Sequence, residues 1–325
     1  MAATIRIGTC SWADETLTKV WYPPGVRSGE ARLRHYAERF DTVEANSTYY
    51  RLPDAELVGN WAERTPGGFT MHVKAFGLMT RHPVKLEALP EDLRDAMPTD
   101  ARGRVDRPPR ELRAEVFRRF SSALEPLRMT GKLGGILLQF PSYVVHKPAS
   151  LEYIEWAAAQ LRGDELLLEF RHRSWLDDEH GDETLAFLES LGLTYVIVDA
   201  PKTEAKNLVP TVVARTSGTA YVRFHGRNAA TWNKRTGSAA ERFDYLYSEE
   251  ELTEWVEPLR ELAAEAESVF AMFNNNGRSA MPSTGLEGLE PGEVAGDPAK
   301  GEVAQAPANA LMLRRALEDA GVPVA

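Results

Sequence analysis

The sequence predicts an α/β fold, a single (β/α)8 TIM-like barrel, and three observations predict it. Eight short runs rich in β-branched, aromatic and other apolar residues recur along the chain. Segments of helical character separate them, so the strands read as parallel βαβ units. The first run leads into Gly8-Thr9-Cys10-Ser11-Trp12, without the GxGxxG turn that usually follows the first strand of a doubly wound sheet. The length of 325 residues suits one such barrel spanning residues 1–325.

In chain order the strand runs are 4–10, 41–48, 69–76, 133–140, 166–171, 194–199, 220–225 and 269–274. The helix candidates are 29–40, 54–65, 111–129, 150–161, 182–191, 249–266 and 308–320. Pro53-Asp54 offers an N-cap, and Ser248 with Glu251 has capping-box spacing. Only the connection from Asp199 to Thr219 shows no clear helix. Two connections are long. Residues 77–110, after the third strand, carry five prolines and mixed charges, with a short helix expected around 89–97. Residues 277–307, after the eighth, are rich in Gly, Pro, Ala and Glu and lack periodicity, so a flexible insertion is expected there. Both follow strand ends, on the face where barrels keep their sites; the first reads as a lid or as a solvated insertion.

Composition narrows the function. The chain carries 38 Lys and Arg against 48 Asp and Glu, a formal charge of −10, which argues against coating nucleic acid as its main task. Its single cysteine, Cys10, excludes an internal disulfide framework and a CxxC site. No apolar run is long enough to cross a bilayer and residues 1–9 lack a signal pattern, so no membrane partner and a cytoplasmic address are expected.

Alternate residues of a strand face opposite sides. With the apolar alternates turned to the outer helices, the interior receives Arg6, Gly8 and Cys10 from strand one, Glu44, Asn46 and Thr48 from two, and His72 and Lys74 from three. It receives Leu137 and Gln139 from four, Glu169 and Arg171 from five, and Tyr195, Ile197 and Asp199 from six. Tyr221, Arg223 and His225 come from seven, and eight is ambiguous between Asn274 and Asn275. Barrel interiors are normally packed with branched apolar side chains. Four cations (Arg6, Lys74, Arg171, Arg223) and three carboxylates (Glu44, Glu169, Asp199) must instead pair, or open to water and ligand.

The same residues carry a family resemblance. The chain resembles the YecE-like family, the domain of unknown function 72 proteins, in Ile7-Gly8-Thr9-Cys10-Ser11-Trp12, Trp21-Tyr22-Pro23-Pro24-Gly25 and Val43-Glu44-Ala45-Asn46-Ser47-Thr48-Tyr49-Tyr50. It does so again in Val73-Lys74-Ala75, Leu138-Gln139-Phe140-Pro141, Glu169-Phe170-Arg171-His172-Arg173-Ser174-Trp175 and Val198-Asp199-Ala200-Pro201. The last segments are Tyr221-Val222-Arg223-Phe224-His225-Gly226-Arg227, Phe273-Asn274-Asn275 and Ala308-Asn309-Ala310. The resemblance implies a TIM-like barrel and carries no established activity. The insertion between Asn276 and Ala308 is longer than the family pattern.

Three chemistries are weighed on these residues. Glu44 and Glu169 form an acid/base pair, with Lys74 either paired to a carboxylate or serving as base or nucleophile. Around them Asn46, Tyr49, Gln139, Arg171, Trp175, Asp199, Arg223, His225, Arg227, Asn274 and Asn275 are expected to bind a small anionic, polyhydroxylated substrate, a sugar phosphate or nucleotide, without a cofactor. Isomerase, lyase or hydrolase chemistry then follows. The alternative is a Mn²⁺, Mg²⁺ or Zn²⁺ site on Glu169, Asp199 and His225, as in sugar isomerase-like or endonuclease-like barrels. A further alternative is a non-catalytic barrel whose aromatic and arginine-lined mouth holds a nucleotide or single-stranded nucleic acid, the acidic balance favouring the nucleotide.

Overall fold

The computed structural model describes residues 2–232, 242–282, 286, 293 and 300–325. Eight parallel strands close into a barrel in sequence order: β1 (Ile5–Thr9), β2 (Thr42–Ala45), β3 (Thr70–Lys74), β4 (Leu133–Gln139), β5 (Leu166–Glu169), β6 (Thr194–Asp199), β7 (Thr219–Phe224) and β8 (Ser268–Phe273), with β8 pairing back to β1. The outer layer comprises α1 (Gly29–Ala37), α2 (Ala55–Glu63), α4 (Arg110–Ala123), α5 (Glu125–Met129), α6 (Pro148–Gln160), α7 (Gly181–Ser190), α9 (Glu249–Thr253), α10 (Val256–Glu265) and α11 (Gln305–Asp319). Two single turns, α3 (Glu91–Arg94) and α8 (Ala229–Trp232), lie in loops. Among the described residues no helix is long and apolar enough to cross a membrane.

The caps act where the sequence places them. Asp54 accepts from the Leu57 amide, and Ser248 with Glu251 closes both bonds of a capping box. The stretch expected as one helix over 111–129 breaks after Ala123, because Pro126 in the first turn of α5 has no N–H for the ladder. The C-terminal end of α2 is held by Lys132, whose Nζ donates to the Ala62 and Thr65 carbonyls, a cation meeting the negative end of the helix dipole. Gly8 permits the closure between β1 and β2. A Cβ there would lie 2.3 Å from the Thr42 carbonyl oxygen.

Both long connections contain regular structure. Residues 77–110 fold into short helical turns pinned by bridges between Lys85 and Arg104 and between Thr99 and Val105, with Leu89, Leu93, Met97 and Val105 buried. Residues 277–307, expected as a flexible insertion, contain two short strands. Arg278–Ala280 (β9) and Glu302–Ala304 (β10) pair antiparallel and lead into α11. The remainder of that expectation, apart from a few residues, lies outside the described residues.

Register decides what faces inward. Gln139 lies beside Glu169, Tyr221 beside Phe270 and Arg223 beside Met272, and paired residues of parallel strands share a face. In β6 the register pairs Val198 with Arg223 and Asp199 with Phe224. Val196 and Val198 therefore point inward, whereas Tyr195, Ile197 and Asp199 point to the helices, opposite to the expectation. Every residue of β6 is buried, so the strand presents apolar side chains to both faces and its alternation carries no sign.

Candidate active site

The barrel interior is built in layers. At the bottom, Arg6 stands over the Phe270 ring at 5.9 Å, and His72 packs edge-on against Tyr221 and Phe270. Burial lowers the His72 pKa to about 3, so it is a neutral ring. Above it lies a buried ion cluster. Arg223 donates to Glu44 Oε1 at 2.7 Å and to Glu169 Oε2, and all three side chains are inaccessible to solvent. Tyr221 donates to Glu44 Oε2 at 3.0 Å. Glu169 Oε1 accepts from Gln139 Nε2 at 2.7 Å and His225 Nε2 at 3.0 Å, with Arg171 at 3.3 Å.

The network fixes its own protons. Burial pushes the Glu169 carboxyl up, but Arg223, His225 and Arg171 together hold it well below the ordinary carboxylate range. Burial lowers the His225 pKa to about 3, so its ring is neutral. An ionised carboxylate only accepts, which assigns the His225 proton to Nε2. Nδ1 then accepts from Asn274 Nδ2 at 3.0 Å, and Asn274 Oδ1 faces Arg223 at 3.4 Å. Cys10 is buried beside this cluster; burial, then Glu44, push its thiol well up, so it is protonated.

A cavity of ≈ 990 Å³ opens above this cluster at the C-terminal ends of the strands. Its floor includes Cys10, Asn46, Lys74, Gln139, Arg171 and Asn274, and its walls include Trp12, Tyr49, Tyr50 and Phe243. Among the described residues Lys74 is not paired to a carboxylate. Its Nζ donates to Gln139 Oε1 at 2.9 Å and lies 4.7 Å from the centre of the Tyr49 ring. Burial, then Arg223, outweigh Glu44 and Glu169 and lower its pKa to about 8. Arg171 lies between the Trp232 and Phe243 rings, at 5.4 and 5.9 Å. Asn46 donates to the Cys10 carbonyl, which leaves its buried Oδ1 without a donor among the described residues.

Of the residues expected to act together, the structure brings Asn46, Tyr49, Lys74, Gln139, Arg171 and Asn274 to the cavity surface. It sets Glu44, Glu169, Arg223 and His225 directly beneath, fully buried. Four others are directed elsewhere. Asp199 accepts from Tyr247 at 2.7 Å, Trp255 at 2.9 Å and Arg227 at 2.7 Å on the outer side of the sheet. It therefore does not join Glu169 and His225 in a metal triad. Among the described residues no three His, Cys, Asp or Glu side chains are grouped to hold a metal. Arg227 is engaged by Asp199, Glu251 and Glu254 and does not line the cavity. Trp175 stacks on Phe170 at 4.2 Å and donates to the Val144 carbonyl, sealing the barrel below its loops. Asn275 donates to the Tyr245 carbonyl and to Asn309, a latch between loops.

Sequence reasoning missed the wall formed by Arg242, Phe243 and Asp244. The signal was the long connection after β7, the length at which loops carry function. Gly277 closes this wall. A Cβ there would fall 2.2 Å from Gln305 Oε1 and 2.4 Å from Asp244 Oδ1, and Gln305 is itself pinned by the Tyr245 amide, Asp244 and Ser279. Among the described residues the cavity lining carries five cations and three carboxylates, in a chain of −10.

Comparison with known proteins places the chain. Residues 6–287 match the family described as "Protein of unknown function DUF72", and the chain belongs to that family. It is similar to UPF0759 protein YunF of Bacillus subtilis (strain 168), 31% identical over 290 residues, which is 88% of this chain and 94% of that protein. Similarity to UPF0759 protein YecE of Escherichia coli (strain K12) is confined to 65 residues at 38% identity, 20% of this chain and 21% of that one. The crystal structure of a DUF72 family protein from Thermotoga maritima MSB8 superposes with a TM-score of 0.70 at 30% identity, covering 97% of this chain and 99% of that one. One from Enterococcus faecalis V583 gives 0.73 at 22% identity, covering 97% and 96%, a likeness of fold.

Proposed function

We propose that this DUF72 family member binds a small anionic, polyhydroxylated molecule at the mouth of its barrel and moves a proton on it, with Lys74 as base and then acid. The observation that carries this reading is the Lys74 Nζ on the cavity floor, bonded to the neutral Gln139 amide instead of a carboxylate. An amine so placed exchanges its proton near neutral pH, where a base is most effective. Glu44 and Glu169 then act indirectly. Both are buried and accept hydrogen bonds on both oxygens, so they set the field at Lys74, and Gln139 links Glu169 to it.

Arg171 and the other cavity cations hold the anionic group, and Arg171 stabilises negative charge that develops as Lys74 takes the proton. The orphan Oδ1 of Asn46 accepts from a substrate hydroxyl. Tyr49, Trp12 and Phe243 give ring faces for a sugar. Return of the proton to a neighbouring atom gives isomerisation; its return to a leaving group gives elimination.

The first test is thermal stabilisation by ribose 5-phosphate, glycerol 3-phosphate and AMP against their dephosphorylated counterparts, since a native-state ligand raises the melting temperature. Phosphorylated compounds that stabilise the protein are then incubated with it in D₂O and followed by NMR. Deuterium uptake at one carbon, abolished in Lys74→Met with binding retained, is the expected result. Stabilisation by the neutral compounds alone overturns the reading, and binding without exchange reduces it to a binding barrel.

A further inference from the structure

The insertion after β3 encloses a second cavity of ≈ 590 Å³, bounded also by the start of α4 and the residues after β4. Five arginines line it, with one carboxylate, Asp106. Arg104 is neutralised by Asp100 at 2.7 Å, and Arg107 lies 3.9 Å from Asp106. Arg81, Arg110 and Arg113 make no ion pair among the described residues.

These three guanidinium groups are gathered by aromatic rings. Arg81 stands 4.0 Å and Arg113 5.3 Å from the centre of the Tyr153 ring, and Arg113 also donates to the Tyr153 hydroxyl at 3.1 Å. Arg110 lies 5.6 Å from the centre of the Trp156 ring. They are close enough to oppose one another: burial first, then Arg113 and Arg110, lower the Arg81 pKa against the pull of Tyr153. Like charges held together without a counter-charge are unfavourable, and the chain as a whole has acidic residues in excess.

Two further features converge here. The described residues other than glycine with positive φ are Arg81 (66°) and Arg107 (42°), and both line this cavity; strained backbone of this kind gathers at binding sites. Tyr143 lies at the rim, 58% exposed, with its hydroxyl donating to the Arg81 carbonyl, so its ring is fixed and its surface is open.

We infer that this second cavity binds a phosphate monoester, with Arg81, Arg110 and Arg113 on the phosphoryl group and the Tyr143 ring against the organic part. Three donors with planar forks suit a tetrahedral dianion. The site stands independently of the reading of Lys74, whose cavity lies beyond the Tyr49–His82 ring contact.

The test is calorimetric titration of the full chain with AMP, ribose 5-phosphate, inorganic phosphate and adenosine. It is repeated on the Arg110→Gln/Arg113→Gln double variant and on Arg171→Gln, which removes a cation that holds the anionic group in the first cavity. The esters are expected to bind more tightly than inorganic phosphate, with adenosine silent. The double variant should weaken one ester site at least about tenfold, and Arg171→Gln should retain at least one saturable ester site. Without ligand the double variant should melt no lower than the parent, because repulsion has been relieved. Inorganic phosphate binding as tightly as the esters overturns the monoester assignment. Ester binding unchanged in the double variant lies in the first cavity and overturns the inference. A double variant that melts lower without ligand makes the arginines structural, and no ester binding at all also refutes the site.

Discussion

Replacing Arg223 by methionine keeps a long side chain in the barrel and removes the guanidinium that serves Glu44 and Glu169 together. Breaking a buried ion pair by deleting one partner costs about 3–5 kcal/mol. Two pairs are broken here, but Tyr221, Gln139, His225 and Arg171 still reach the two carboxylates, so we expect roughly 4 kcal/mol at pH 7.5. Set against a total stability of about 5–15 kcal/mol, the variant should fold and melt many degrees lower. The pH dependence carries the diagnosis. In the parent, Glu169 titrates below its unfolded value, so its contribution is present above the ordinary carboxylate range and lost as pH falls through the folded value. Without Arg223, burial dominates and the Glu169 pKa rises above its unfolded value. A raised carboxylate favours the folded state below the unfolded pKa and loses that contribution as pH rises. The deficit should therefore be largest near pH 7.5 and shrink toward pH 5. Urea unfolding at both pH values, followed by tryptophan fluorescence, measures it. A deficit below about 1 kcal/mol, or one equal at both pH values, refutes the view that Arg223 is the counter-charge of a buried carboxylate pair.

Three other outcomes are expected. Glu169→Gln removes a charge that raises the Lys74 pKa, so the rising limb of a rate–pH profile, centred near 8 in the parent, should move to lower pH; an unmoved limb would detach Lys74 from the rate. Asp199→Ala strips Tyr247, Trp255 and Arg227 of their shared acceptor and should cost about 3 kcal/mol in chemical denaturation. Its ligand affinity and metal content should match the parent, and a metal lost with Asp199 would restore the triad. Gly277→Ala drives a Cβ against the pinned Gln305, so about 1–3 kcal/mol of stability should be lost, read as a lower melting temperature. No loss would mean that this loop yields freely.

The fold was legible because a barrel is a repeating pattern. Eight buried runs separated by helix-forming segments report themselves locally, as do caps such as Asp54 and Ser248. The polar interior was legible for the same reason. Glu44, Lys74, Glu169, Arg223 and His225 sit in or just beyond strands whose other alternates are apolar, so parity alone turns them inward. Parity has no purchase on β6, which is apolar on both faces. There only hydrogen-bond register with β7 sends Asp199 outward to Tyr247 and Trp255, partners 48 and 56 residues further along the chain. Past the strand ends no period exists, so Trp175, Arg227 and Asn275 went to packing and latching contacts, and Arg242 and Phe243 came to the cavity, by paths that only loop conformation sets. The sequence by itself determined a closed barrel and which charges it must enclose. Tertiary structure decided that the carboxylates lie below the floor and Lys74 upon it, because depth along the barrel axis depends on strand stagger and loop closure, which join residues far apart in the chain.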